Sequence, residues 1–149
     1  MNSLILRTGT KALVPVFLIV AVLTLWRGHN DPGGGFIGGL IAAICFALIE
    51  KAFGVEEARR QLRVPPMVLA GIGLLFAIAG GVWGLIANGV FLSGVWPFYA
   101  PIDGSWQGLA VGSILLFDTG VFLVVVGVVS AILFALEEAG IPENREEDS

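Results

Sequence analysis

The chain has 149 residues and a mean hydropathy of +0.91; 56% of its residues are hydrophobic and only 13% charged, against about a quarter in a soluble domain. That composition excludes a water-soluble globule and points to one compact integral membrane domain. The formal charge of −4 comes mostly from one acidic end, and the lack of a basic patch interleaved with aromatics excludes nucleic-acid binding.

A helix crossing a bilayer takes about 20 mostly apolar residues. Four runs meet this, at about 7–26, 36–53, 67–91 and 109–136. None alternates with the period of two that a membrane barrel shows. The fold class expected is therefore an all-α integral membrane bundle of four transmembrane helices, followed by an acidic tail over 137–149. The first run follows Arg7 and Lys11 as a signal peptide would, but no small-residue cleavage site comes after it, so it is read as a retained span.

Basic residues orient such chains. Arg7 and Lys11 precede the first span, Lys51, Arg59, Arg60 and Arg63 fill the second connection, and Arg145 lies in the tail. These fall on one side of a four-span layout, leaving only Arg27 on the other. Both termini are expected to be cytoplasmic, in a multi-pass membrane protein. Trp26, Trp96, Tyr99 and Trp106 collect on the opposite side, as an interfacial aromatic belt does.

Small residues recur at helical spacing. The second span carries Gly35, Gly39, Ala43 and Ala47, with Gly38, Ala42 and Cys45 close by. The third carries Gly73, Ala77, Gly81, Gly84 and Asn88, and the fourth Gly112, Gly120 and Gly127. Lipid does not push apolar helices together, whereas close backbone approach across small residues holds them. With 21 glycines in the chain, the stripes predict internal helix contacts and further docking against other membrane subunits. Cys45, the single cysteine, reads as a small buried hydrophobe.

Polar residues inside apolar runs are the candidates for function. Asp118, followed by Thr119, lies in the fourth run. If that helix starts at Leu109, Asp118 is roughly 13 Å deep at 1.5 Å per residue; if it starts near Ile114, Asp118 sits close to the outer interface. Its carboxylate calls for protein, water or a cation as neighbour, so it is either part of a hydrated ion or proton path or a hydrogen-bonded anchor between helices. Glu50 and Lys51 close the second span, either as an interfacial charge pair or as a link to a neighbouring chain, and they join Asp118, Thr119 and His29 as candidates for an ion or proton path. Between the first two spans, His29-Asn30-Asp31-Pro32-Gly33-Gly34-Gly35 reads as a tight outward-facing hairpin. His29 titrates near neutrality when unperturbed and is a candidate for cation entry or proton exit.

A lone histidine beside Asp31 is too few ligands for a zinc site. No Ser-His-Asp, Cys-His, HExxH or EF-hand arrangement can be built, and the glycine run lacks the strand and Lys-Ser/Thr of a phosphate loop. No cofactor, metal or enzymatic activity is expected.

Three stretches together are specific. Leu4-Ile5-Leu6-Arg7-Thr8 opens the chain, Arg27-Gly28-His29-Asn30-Asp31-Pro32-Gly33-Gly34-Gly35-Phe36-Ile37-Gly38-Gly39-Leu40 joins the first two spans, and 115–127, reading LLFDTGVFLVVVG, fills the fourth. In this order and spacing they resemble the MnhB family of the Mrp-type cation/proton antiporters, from about Leu4 to Leu136. The resemblance implies a four-helix component needed for assembly and activity in a complex of six or seven membrane subunits. Its partners would be large subunits similar to the proton-pumping subunits of respiratory complex I, other small membrane subunits and membrane lipid. The complex would exchange cytoplasmic Na+ for external H+, supporting sodium tolerance and pH homeostasis. Related chains in ion-pumping hydrogenase complexes are the alternative within transport, and a scaffold that conducts nothing the alternative outside it. Phe122 stands where the resemblance leads one to expect tyrosine, and Glu50-Lys51 is more polar than the family pattern.

Overall fold

A computed structural model describes residues 4–28, 34–102, 105–108 and 111–140. Five helices and a two-stranded hairpin follow one another: α1 (Leu4–Arg27), α2 (Gly34–Phe53), α3 (Val55–Leu62), α4 (Pro66–Asn88), β1 (Tyr99–Ile102), β2 (Ser105–Gly108) and α5 (Ser113–Ala139). Four of the helices are long and apolar enough to cross a membrane.

The boundaries follow local chemistry. Pro66 opens α4 at a position where a missing N–H costs nothing. Gly89, in the left-handed region at φ 73°, ends it, so the third span stops at Asn88 and not near Phe91. The fourth span starts at Ser113 and not at Leu109, with Gly112 extended just ahead of it; the antiparallel β1–β2 hairpin, with Tyr99 opposite Gly108, ends at Gly108. That hairpin is a small departure from an all-α chain. α5 runs on to Ala139, so Glu137 and Glu138, expected in the tail, are helical; residues 141–149 of the tail lie outside the described ones.

The principal helix contacts run α1 to α2, α2 to α5 and α5 to α4. The bundle is thus laid out as a row, with α1 and α4 at its edges and α5 clasped between α2 and α4. α2 and α5 are parallel, since Gly35 meets Asp118 at one end and Lys51 pairs with Glu137 at the other. Arg7 Nε donates to the Ala52 carbonyl at 3.1 Å and Arg59 pairs with Glu138 at 2.7 Å, so the start of α1, the end of α2, α3 and the end of α5 share one end of the molecule.

Small residues set the contacts. Gly35 and Gly39 of α2 face α5, while Gly38 faces the α1 backbone at Ala21. Gly73 and Gly120 face each other across α4–α5: a Cβ on Gly73 would come within 2.6 Å of the Gly120 carbonyl oxygen, and a Cβ on Gly120 would meet the backbone of Ala77. Gly127 meets Ala70, and Gly80 meets Phe117. Gly81 and Gly84 take a different partner from the other stripe residues. They receive Phe91 and Ser93 of the segment after α4, which folds back along the helix. Ala43 is buried and Ala47 half-buried on α2. Cys45 is fully buried, and its thiol donates to the Ile41 carbonyl at 3.4 Å.

Candidate functional site at the Asp118 end

Asp118 is five residues into α5, about 8 Å from its first residue at 1.5 Å per residue. The helix thus starts close to the later of the two expected positions. Its carboxyl lies over the first turn of α2: a Cβ on Gly34 would come within 3.2 Å of Asp118 Oδ2. Gly34 has φ +84°, a conformation that side chains with a Cβ resist, and Gly35 leaves room for the Asp118 carbonyl itself. α2 has no acidic residue in its own first turn. The carboxyl of Asp118 therefore supplies, from another helix, the negative charge that the positive end of a helix dipole favours.

Beside it is a cavity of about 310 Å³, bordered by Gly28, Gly80, Leu92, Ser113, Phe117 and Asp118. Of the residues flanking the first connection, Gly28 thus borders the same cavity as Asp118, and Gly34 lies beside its carboxyl. His29, Asn30, Asp31, Pro32 and Gly33 lie outside the described residues.

The wall on the α4 side is tied down by hydrogen bonds. Ser113 Oγ donates to the Ser93 carbonyl at 3.0 Å and accepts from the Val95 N–H at 2.9 Å. Ser93 Oγ donates to the Gly84 carbonyl at 3.0 Å, and Asn88 Nδ2 donates to Ser93 Oγ at 3.0 Å. The Leu92 N–H donates to the Gly81 carbonyl at 3.2 Å. Thr119 turns away from any such network; its hydroxyl donates to the Leu115 carbonyl of its own helix at 2.8 Å.

Glu50 and Lys51 are not part of this site. They lie 15 residues along α2 from Gly35, about 22 Å away. Glu50 is only 4% exposed, with Oε2 lacking a hydrogen-bond partner among the described residues. Lys51 Nζ stands 3.8 Å from Glu50 Oε1 but pairs more closely with Glu137 of α5. Sequence reasoning groups Asp118 with Glu50 and Lys51; the fold separates them to opposite ends. It also misses Ser113 as a cavity-side clamp, although a serine opening an apolar run is a helix-start signal.

Among the described residues no cluster of three or more His, Cys, Asp or Glu could hold a metal. What the arrangement offers is one carboxyl, set at a helix start beside a cavity near one membrane face, in a multi-pass membrane protein. A carboxyl so placed in a membrane protein is of the kind that ion-handling assemblies use.

Comparison with known proteins fits that class. Residues 5–131 match the family described as "Domain related to MnhB subunit of Na+/H+ antiporter", and the chain belongs to this family. It is 38% identical over 138 residues to the B component of the Na(+)/H(+) antiporter of Bacillus subtilis (strain 168), covering 92% of this chain and 94% of the relative. It is 32% identical, over the same shares, to the corresponding Na(+)/H(+) antiporter component of Alkalihalophilus pseudofirmus.

Proposed function

We propose that this chain is a small accessory component of a multisubunit Na+/H+ antiporter in a bacterial plasma membrane, with its basic end in the cytoplasm and no reaction chemistry of its own. The match over residues 5–131 to an antiporter-subunit family carries this reading. Its partners are then large and small membrane subunits of the same complex, and the ions that cross are Na+ and H+. Gentle extraction of the tagged chain from its host, followed by mass spectrometry, is expected to bring large antiporter-type subunits in fixed ratio. A lone monomer or a homo-oligomer would remove the antiporter reading, and hydrogenase subunits in their place would move it to the related pumping complexes.

Within that complex, Asp118 is the residue through which this chain touches the ion or proton path, because it borders a cavity that Gly28 also lines and its carboxyl lies over Gly34. The substitution D118N keeps shape and removes the charge. Antiport is expected to fall about tenfold or more, the factor that a loss of 1.4 kcal/mol produces, while the complex still assembles. Full antiport with normal assembly would sink the transport role. Failure to assemble would make Asp118 an anchor for the start of α2, a role its contact with Gly34 favours.

A further inference from the structure

At the other end of the molecule, the turn from α3 into α4 holds two hollows that share a wall. One, of about 240 Å³, is bordered by Arg59, Arg63 and the residues 64–66. The other, of about 310 Å³, is bordered by Arg59, Pro65 and Pro66 together with Met67, Ala131, Phe134 and Ala135. The first is basic and the second apolar. Arg59, Pro65 and Pro66 belong to both, so a single ligand with a charged head and a hydrocarbon chain can occupy the pair.

The charges around this site are unevenly committed. Arg59 pairs with Glu138 at 2.7 Å and lies over the Phe134 ring, 5.7 Å from its centroid. Arg60 pairs with Glu57 at 2.7 Å. Arg63 has no acidic partner among the described residues, is exposed, and is held with φ at +64° as the left-handed cap that closes α3. Its backbone N–H bonds to the Arg59 carbonyl at 3.1 Å, fixing the two arginines on neighbouring turns. The apolar hollow lies at the first residues of α4 and the last apolar turn of α5, at one end of two helices long and apolar enough to cross a membrane.

We propose that the paired hollows bind an anionic phospholipid, its phosphate against Arg63 and Arg59 and one acyl chain in the slot bounded by Met67, Ala131 and Ala135. An acidic protein segment would use the arginines but leave the slot empty. A free phosphate would do the same. An anionic lipid uses both halves, and basic residues at helix ends on the membrane surface favour anionic headgroups. This inference concerns lipid binding and stands apart from the transport reading.

The test uses the purified, delipidated full chain in detergent, with bound lipids counted by native mass spectrometry. The probes are dioleoyl phosphatidylglycerol, dioleoyl phosphatidylcholine and water-soluble glycerol 3-phosphate. The first is expected to bind about fivefold or more tighter than the second, the increment one well-placed basic residue supplies. R63N should abolish that preference, and asparagine tolerates the left-handed backbone, so the turn is kept. R60Q, which removes an equal but already paired charge, should leave the preference in place. A131L, which fills the slot, should weaken both lipids. Equal binding of the two lipids would overturn the proposal. So would equal losses in R63N and R60Q, which mark diffuse surface charge, or displacement of lipid by glycerol 3-phosphate, which marks a free-anion site.

Discussion

α4 and α5 meet almost backbone to backbone, whereas α1 touches α2 along one stripe and leaves most of its apolar surface outside. Gly73, Gly80, Gly120 and Gly127 each sit where a Cβ would press on the neighbouring helix's backbone. α1 is also a span of membrane length, yet its one glycine, Gly9, has nothing within 4 Å, and among its residues only Thr10 and Ala21 are buried. The contrast shows what organises a chain in lipid. Hydrophobic side chains give no preference for a helix neighbour over an acyl chain, while small residues in register allow dispersion contacts along the whole length. α4 makes the same point within one helix: Gly73 faces α5, but Gly71, two residues away, faces open space.

The contrast can be broken most sharply at its tight side. Gly120→Leu is expected to cost about 3 kcal/mol or more, because both neighbours of the new side chain are backbone and cannot swing aside. Loss of monodisperse protein, or a large drop in the midpoint of denaturant unfolding in mixed micelles, is the readout; a wild-type midpoint would contradict the α4–α5 packing. Next comes Ser113→Ala. It strips two hydrogen bonds from a residue 2% exposed and leaves the Val95 N–H without its acceptor, for about 1–3 kcal/mol in the same titration. Gly34→Ala should cost about 1–3 kcal/mol through its positive φ and crowd the Asp118 carboxyl; an unchanged stability would show that the start of α2 relaxes freely. At the loose side, Gly71→Ala should be neutral or stabilise by up to about 1 kcal/mol through helix propensity alone. Leu23→Ala, at a side chain 61% exposed on α1, should stay within about 0.5 kcal/mol in the isolated chain. If Leu23→Ala leaves the chain intact but lowers recovery of the complex, the bare side of α1 is where another subunit docks.

Four spans and their order were legible because apolar length is a property of sequence alone. The stripe Gly35, Gly39 also told that α2 would be approached closely, and α5 approaches it there. Which partner each small residue takes was not legible. Gly81 and Gly84 continue the periodicity of Gly73 and Ala77, yet Gly89 ends the helix early and sends the chain back over them, so a loop takes the place of a helix. That loop is held by Ser93 and Ser113, 20 residues apart, and no local pattern announces such a pair. Depth was ambiguous for a similar reason: hydropathy alone allowed the fourth helix to start at Leu109 or near Ile114, and the extended backbone of Gly112 ahead of Ser113 sets the later start. Hydropathy placed Glu50 at the close of the second span and Asp118 in the fourth, and the parallel pairing of α2 with α5 sets the two at opposite ends.

That parallel pairing also bears on how the chain is made. α1 and α2 can zip together as a hairpin as soon as they leave the insertion machinery, but the Gly35–Gly39 groove of α2 is filled by α5, the last of the four in chain order. The groove stays open while α3, α4 and the strand hairpin are synthesised, and α5 then closes two interfaces at once, one on each of its sides. Maturation is therefore gated by its final segment. Until α5 arrives there are two unconnected pieces of membrane protein, and afterwards there is one, so a neighbouring subunit that recognises the finished row is offered only chains translated through α5.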